Sequence, residues 1–151
     1  MTGEHTIILR SNRVECSLTV RKKVTVIRGR SGSGRTTFVN MLDRYEGGNS
    51  SVTLECDVPV GHLKKSSWDI DYVQKKTGHI FVFDEDETFV VKDSVDFASA
   101  VLNSDNCFVI MSRNPLNFLP DGIKEEYEFL EDNSGGSSSL TYVRAVPISS
   151  K

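Results

Sequence analysis

The stretch Val24-Thr25-Val26-Ile27-Arg28-Gly29-Arg30-Ser31-Gly32-Ser33-Gly34-Arg35-Thr36-Thr37 governs how the rest of the chain is read. Val24 to Ile27 is a β-branched run, the composition of a buried strand. Past the glycines, Phe38, Met41, Leu42 and Tyr45 fall at i, i+3, i+4 and i+7, one face of a helix that Gly47-Gly48 stops. In a strand, glycine loop and helix of this order the backbone turns tightly. The N–H groups from about Ser31 to Thr36 then point inward, and the helix adds the partial positive charge of its amino end. The product is a cradle for a polyphosphate. Gly29 to Thr36 fit the pattern G-x-x-x-x-G-K-[S/T] at every position but one, where Arg35 replaces the lysine. The expected contacts run over Gly29, Arg30, Ser31, Gly32, Ser33, Gly34, Arg35, Thr36 and Thr37. The Thr36 hydroxyl would be given to a magnesium ion bridging the outer phosphates, and Thr37 would reach the inner phosphate.

About fifty residues on, Ile80-Phe81-Val82-Phe83-Asp84-Glu85 is an apolar strand ending in two acids. Buried strands end in paired carboxylates for a reason, and ligands of open α/β sheets bind at the carboxyl ends of strands. Asp84 would hold Mg²⁺ through a water, and Glu85 would orient or deprotonate an attacking water. The competing reading is an acidic surface turn, because the run continues through Asp86-Glu87.

Outward from these two segments, Thr6 to Leu9 and Val14 to Val20 are strand-like and Ser51 to Cys56 adds another. Ser66 followed by Asp69 resembles a capping box for a helix carrying Trp68 and Tyr72 on a core-facing side and closed by Gly78. Asp93 opens a further helix with Val95, Ala98, Val101 and Leu102, and Cys107 to Met111 is a second fully apolar strand. Tyr127 to Leu130 and Leu140 to Val146, joined by a polar Gly/Ser connection, read as a hairpin on the sheet edge. Strands alternating with helices predict an α/β fold with a mainly parallel sheet, as one domain spanning 1–151.

Together the two chemical segments resemble the Walker A and Walker B motifs of P-loop NTPases. The Asp84-Glu85 pair resembles the additional-strand, catalytic-glutamate branch that holds the ABC-type and AAA-type ATPases. The resemblance covers roughly residues 6–130. It implies a three-layer fold, with antiparallel edge strands and the C-terminal hairpin on a mainly parallel sheet, and the Cys107 to Met111 strand inserted between the two motif strands. It also implies a polar γ-phosphate sensor at that strand's end, a role falling on Ser112, with Arg113 a weaker candidate. There is no LSGGQ-like signature and no aromatic residue in 1–37 to stack on a base. The guanine-reading N-K-x-D pattern is absent too, which favours ATP, and no helical lid follows the core. The implied activity is binding of ATP with Mg²⁺ and slow hydrolysis, with Glu85, Arg35 and Ser112 as the catalytic set. A non-catalytic nucleotide sensor acting on a protein partner and a small phosphotransferase are the alternatives. Enzymes of this branch often assemble head to tail, so a homo-oligomer is among the expected states.

The charge distribution agrees. Residues 1–45 hold nine Lys/Arg against three Asp/Glu, whereas 46–151 hold nine against eighteen, which puts anion binding in the amino-terminal third. With a net charge of -3 the chain is a poor nucleic-acid binder. His5, His62 and His79 are isolated from one another and read as ordinary polar residues. Cys16, Cys56 and Cys107 are odd in number and far apart, so they read as buried thiols rather than disulfides or metal ligands. The longest apolar runs are too short for a membrane span or a signal peptide core, and the expected setting is the cytosol.

Overall fold

Alternation decides where each strand sits. His5–Arg10 (β1) and Val14–Val20 (β2) bury every second residue, whereas Val24–Arg28 (β3) and Asp105–Met111 (β7) are buried almost throughout. One-sided burial suits antiparallel strands and two-sided burial suits parallel ones. The computed structural model describes residues 3–29, 34–64, 69–84, 94–113, 116–132 and 140–148, with 94–96 as backbone. Its further elements are α1 (Arg35–Glu46), β4 (Thr53–Glu55), β5 (Val60–His62), α2 (Ile70–Lys75), β6 (Thr77–Phe83), α3 (Ser94–Asn103), β8 (Lys124–Asp132) and β9 (Thr141–Pro147).

The strands form one nine-stranded sheet in the order β4-β1-β2-β9-β8-β3-β7-β6-β5. β8, β3, β7, β6 and β5 run parallel, as do β2 and β9, while β4–β1, β1–β2 and β8–β9 are antiparallel. α1 packs on β1 and β4 and also on β5. Since β4 and β5 close opposite ends of the strand order, the sheet curls around this helix. Phe38, Val39, Met41 and Leu42 fill the concave side against Ile7, Leu9, Leu18, Ile27 and Val82. On the other face, Val73 of α2 and Phe97, Ala100 and Val101 of α3 cover Val24, Val26, Phe81, Phe83 and Phe108. The even and odd residues of β6 thus serve separate cores, the two-fold period of a strand.

The expected three-layer α/β P-loop fold with a mainly parallel sheet is not what the chain forms. Strands take 46% and helices 24%, and the sheet is mixed and curled rather than a parallel sheet between helical layers. The reason lies in the half-buried strands, which need only one covered face and therefore extend the sheet instead of recruiting helices. The C-terminal hairpin forms, yet its second strand is not at an edge, because β9 sits between β8 and β2. β7 does lie between β3 and β6.

Two helix boundaries also differ. Asp69 itself caps α2, its side chain accepting from the Asp71 N–H at 3.0 Å, while Ser66 and Trp68 lie outside the described residues. The helix ends at Lys76 in extended conformation. Gly78 belongs to β6, with φ 67, and does not close the helix. Tyr72, expected in the core, is 42% exposed, and Val73 takes the buried position. Among the described residues no helix is long and apolar enough to cross a membrane.

Candidate functional site

The carboxyl ends of three adjacent parallel strands bring the sequence-selected residues together. Register pairs Ile27 with Met111 and Phe83 with Ile110, so β3, β7 and β6 end nearly level. The first residues past those ends are Gly29, Ser112 and Asp84. The Ser112 N–H donates to the Ile27 carbonyl at 3.0 Å, which fixes the end of β7 beside the point where the glycine loop leaves β3. At the usual strand spacing the row from β3 to β6 spans about 10 Å, the scale of a polyphosphate chain. Ser112 is buried, Asp84 is half-buried, and Arg113 is exposed.

The loop enters and leaves in backbone conformations that favour glycine: φ is 131 at Gly29 and 105 at Gly34. Arg30, Ser31, Gly32 and Ser33 lie outside the described residues, as does Glu85. Gly34 caps α1, its carbonyl accepting from the Phe38 N–H at 2.9 Å. The amino end of this helix has no side-chain cap and no acid in its first turn, so nothing on the helix itself offsets its partial positive charge. Thr36 is exposed and Thr37 half-buried on that turn.

Arg35 is the unexpected member. It is only 5% exposed, at the first position of α1. A desolvated guanidinium is held in proteins by hydrogen-bonded or anionic neighbours. On the other side of β3, Arg28 Nη1 donates to Glu126 Oε1 of β8 at 2.7 Å, a pair that flanks the loop's origin.

Sequence reasoning missed how the loop is seated. A Cβ added to Gly34 would stand 2.9 Å from Val143 Cγ1 and 3.1 Å from Phe129 Cβ, so the β8–β9 hairpin closes directly on the last glycine. Phe129 also stacks on Phe38 of α1, ring centroids 5.5 Å apart. Nothing local in 29–37 signals this, because the contacts come from more than ninety residues away.

A second group of polar residues gathers at the far end of α1. His62 Nδ1 lies 2.7 Å from Asp43 Oδ1, and the His62 N–H points to the Glu46 carboxylate at 3.3 Å. Burial against this surface raises the Glu46 carboxyl above its ordinary value. His62, which reads from sequence as an ordinary polar residue, has a side chain only 3% exposed. Asp43 and His62 lie too far apart in the chain for spacing to reveal the pair.

Among the described residues no three His, Cys, Asp or Glu side chains gather as a metal site. In comparisons with known proteins, no family model matches this chain and no curated protein matches it.

Proposed function

We propose that this chain binds a nucleoside triphosphate, ATP in preference, with Mg²⁺, and hydrolyses it slowly. The observation that carries the reading is the shared edge: Gly29, Ser112 and Asp84 leave the ends of adjacent parallel strands, and the glycine segment that follows β3 leads into α1, whose amino end has no side-chain cap. Around that edge the loop amides and the helix end would hold the phosphates. Arg35 would supply the charge that lysine supplies in the usual pattern. Ser112 would sense the terminal phosphate, and Glu85 would orient water.

The residues fit magnesium. That ion keeps most of its waters and binds through one or two carboxylates plus phosphate oxygens, so Asp84 and the Thr36 hydroxyl are hard-oxygen donors of the right kind. When bound, it would neutralise charge on the outer phosphates. Slow turnover follows from Arg35: a planar guanidinium cannot take the path of a compact ammonium over the loop, and phosphoryl transfer depends on positioning. The reading carries a cytosolic setting, where thiols stay reduced, and Cys16, Cys56 and Cys107 are all free.

Nucleotide-induced stabilisation tests it. Ligand at a hundred times its Kd stabilises by about 2.7 kcal/mol, which for a chain of this length raises Tm by roughly 5–10 °C. ATP with Mg²⁺ is expected to do this and phosphate alone to do less. No shift at millimolar ATP and Mg²⁺, in the protein and in Arg35→Lys alike, would overturn the proposal. Calorimetric titration of ATP, ADP and GTP then reads the base preference.

A further inference from the structure

At the carboxyl end of α1, opposite the glycine loop, lies a cavity of about 600 Å³. A helix of this length separates the two ends by roughly 17 Å, so the cavity is a place apart from the phosphate edge. Its walls include Tyr72, His79 and Phe81, with Glu46 and His62 among the polar groups that line it. Tyr72 and Phe81 meet at 6.1 Å, and His79 stacks on Phe81 at 5.5 Å, so the aromatic side is continuous.

We propose that this cavity is a binding site for a small organic cation, an amine carrying an aromatic or apolar group. Three independent features agree on the sign of the ligand. Glu46, the last residue of α1, contributes a carboxylate to the wall. The carboxyl end of a helix carries partial negative charge, which favours cations. Aromatic faces attract ammonium groups through their quadrupoles and cover the apolar part of such a ligand. Among the described basic side chains nearby, Arg44 Nη2 donates to Ser51 Oγ at 3.1 Å, Lys64 Nζ lies 3.8 Å from Asp43 Oδ1, and Lys76 Nζ lies 5.2 Å from the Tyr72 ring centroid, so that ring already draws a cation.

The chemistry also explains the setting of Glu46. Its carboxylate accepts a long bond from the His62 N–H, which protects the outer edge of β5 and keeps the group pointed at the cavity. Desolvation there disfavours the ionised form. An ammonium arriving at the carboxylate would add to the favourable charge that His62 and Lys64 already place near it, so the ligand binds best where the group is ionised.

The test uses three probes on the full chain, followed by amide and aromatic NMR shifts and calorimetry. 2-Phenylethylamine carries both features, 2-phenylethanol keeps the ring and lacks the charge, and spermidine keeps charge and lacks the ring. The amine is expected to bind with low-millimolar affinity or better, as suits so small a ligand. Its shifts should centre on Gly61, His62, Tyr72 and Phe81, and the alcohol and spermidine should each bind roughly tenfold more weakly. Glu46→Gln, which keeps an acceptor for the His62 N–H, should weaken the amine about tenfold and leave the alcohol unchanged. Tyr72→Ala should weaken it about threefold. Equal binding of amine and alcohol, shifts centred at Gly29 and Ser112, or no binding by the unmodified protein would each overturn the proposal. The last measurement needs no variant to fold.

Discussion

Gly34→Ala tests the seat of the glycine loop most directly. With φ at 105 and ψ at -15, an alanine would sit outside the ordinary left-handed well, at a cost of roughly 1–3 kcal/mol. Its methyl would also stand 2.9 Å from Val143 Cγ1 and 3.1 Å from Phe129 Cβ, and crowding of this kind in a packed region costs about 1–3 kcal/mol. Against these, the lower entropy of an unfolded alanine chain returns about 0.4–1 kcal/mol. The net loss should be about 2–4 kcal/mol. Gly48→Ala is the matched control: φ there is 85, and an added Cβ meets nothing within 4 Å. It should lose only about 1 kcal/mol, the backbone part alone. Urea unfolding of both variants, with equal m-values, separates the contact from the dihedral. Adding Val143→Ala to Gly34→Ala should recover about 1 kcal/mol beyond additivity, since the two sites touch. If Gly34→Ala costs no more than Gly48→Ala, the hairpin does not bear on the loop and the reasoning fails.

Other expectations follow from single side chains. Arg35→Lys should raise ATP turnover by roughly tenfold to a hundredfold in a phosphate-release assay, with nucleotide affinity little changed; unaltered turnover would remove Arg35 from the transferring phosphate. Burial pushes the Cys16 thiol up to about 12 and raises Cys107 and Cys56 too, so accessibility decides, and an aromatic disulfide reagent should label Cys56, the half-buried one, first. Early labelling of Cys16 would contradict its packing against Met41, whose sulfur lies 3.8 Å away. His5 Nδ1 stands 3.0 Å from both Asp57 oxygens, and this bond holds the Asp57 carboxyl below its ordinary 3.8. A carboxyl lowered in the folded state contributes stability above that ordinary value and loses it as pH falls through the folded one. Asp57→Asn should therefore flatten the loss of stability below pH 3.8, measured as the urea midpoint against pH; an unchanged slope would refute it.

Legibility tracked distance along the chain. Val14 to Val20 was readable end to end, and Phe38, Met41 and Leu42 fixed the buried face of α1, because period two and period 3.6 are local properties. Tyr45 kept the helical period yet is 41% exposed, since the helix runs out beyond the core. Pro59 and Gly61 give short β5 the composition of a connecting loop, and only pairing with β6 makes it a strand. The layer architecture was misread because the pattern of a strand says how many faces are covered, not which neighbour covers them. Of the site, Gly29, Asp84 and Ser112 could be placed at strand ends from the apolar runs before them. The burial of Arg35, the seat under Gly34 and the Asp43–His62 pair depend on contacts between distant segments, which leave no local mark.

The position of β9 has a consequence for how the chain is made. Residues 14–17 reach the parallel strands through the sheet only by way of 141–144, so without β9 the sheet falls into two pieces, β4-β1-β2 and β8-β3-β7-β6-β5. During synthesis β1 and β2 must wait for residues 141–144 to leave the ribosome before they join the parallel strands. Until then the edge of β2 is open to unwanted neighbours, so a chaperone, or a slower codon, has most to offer before β9 emerges.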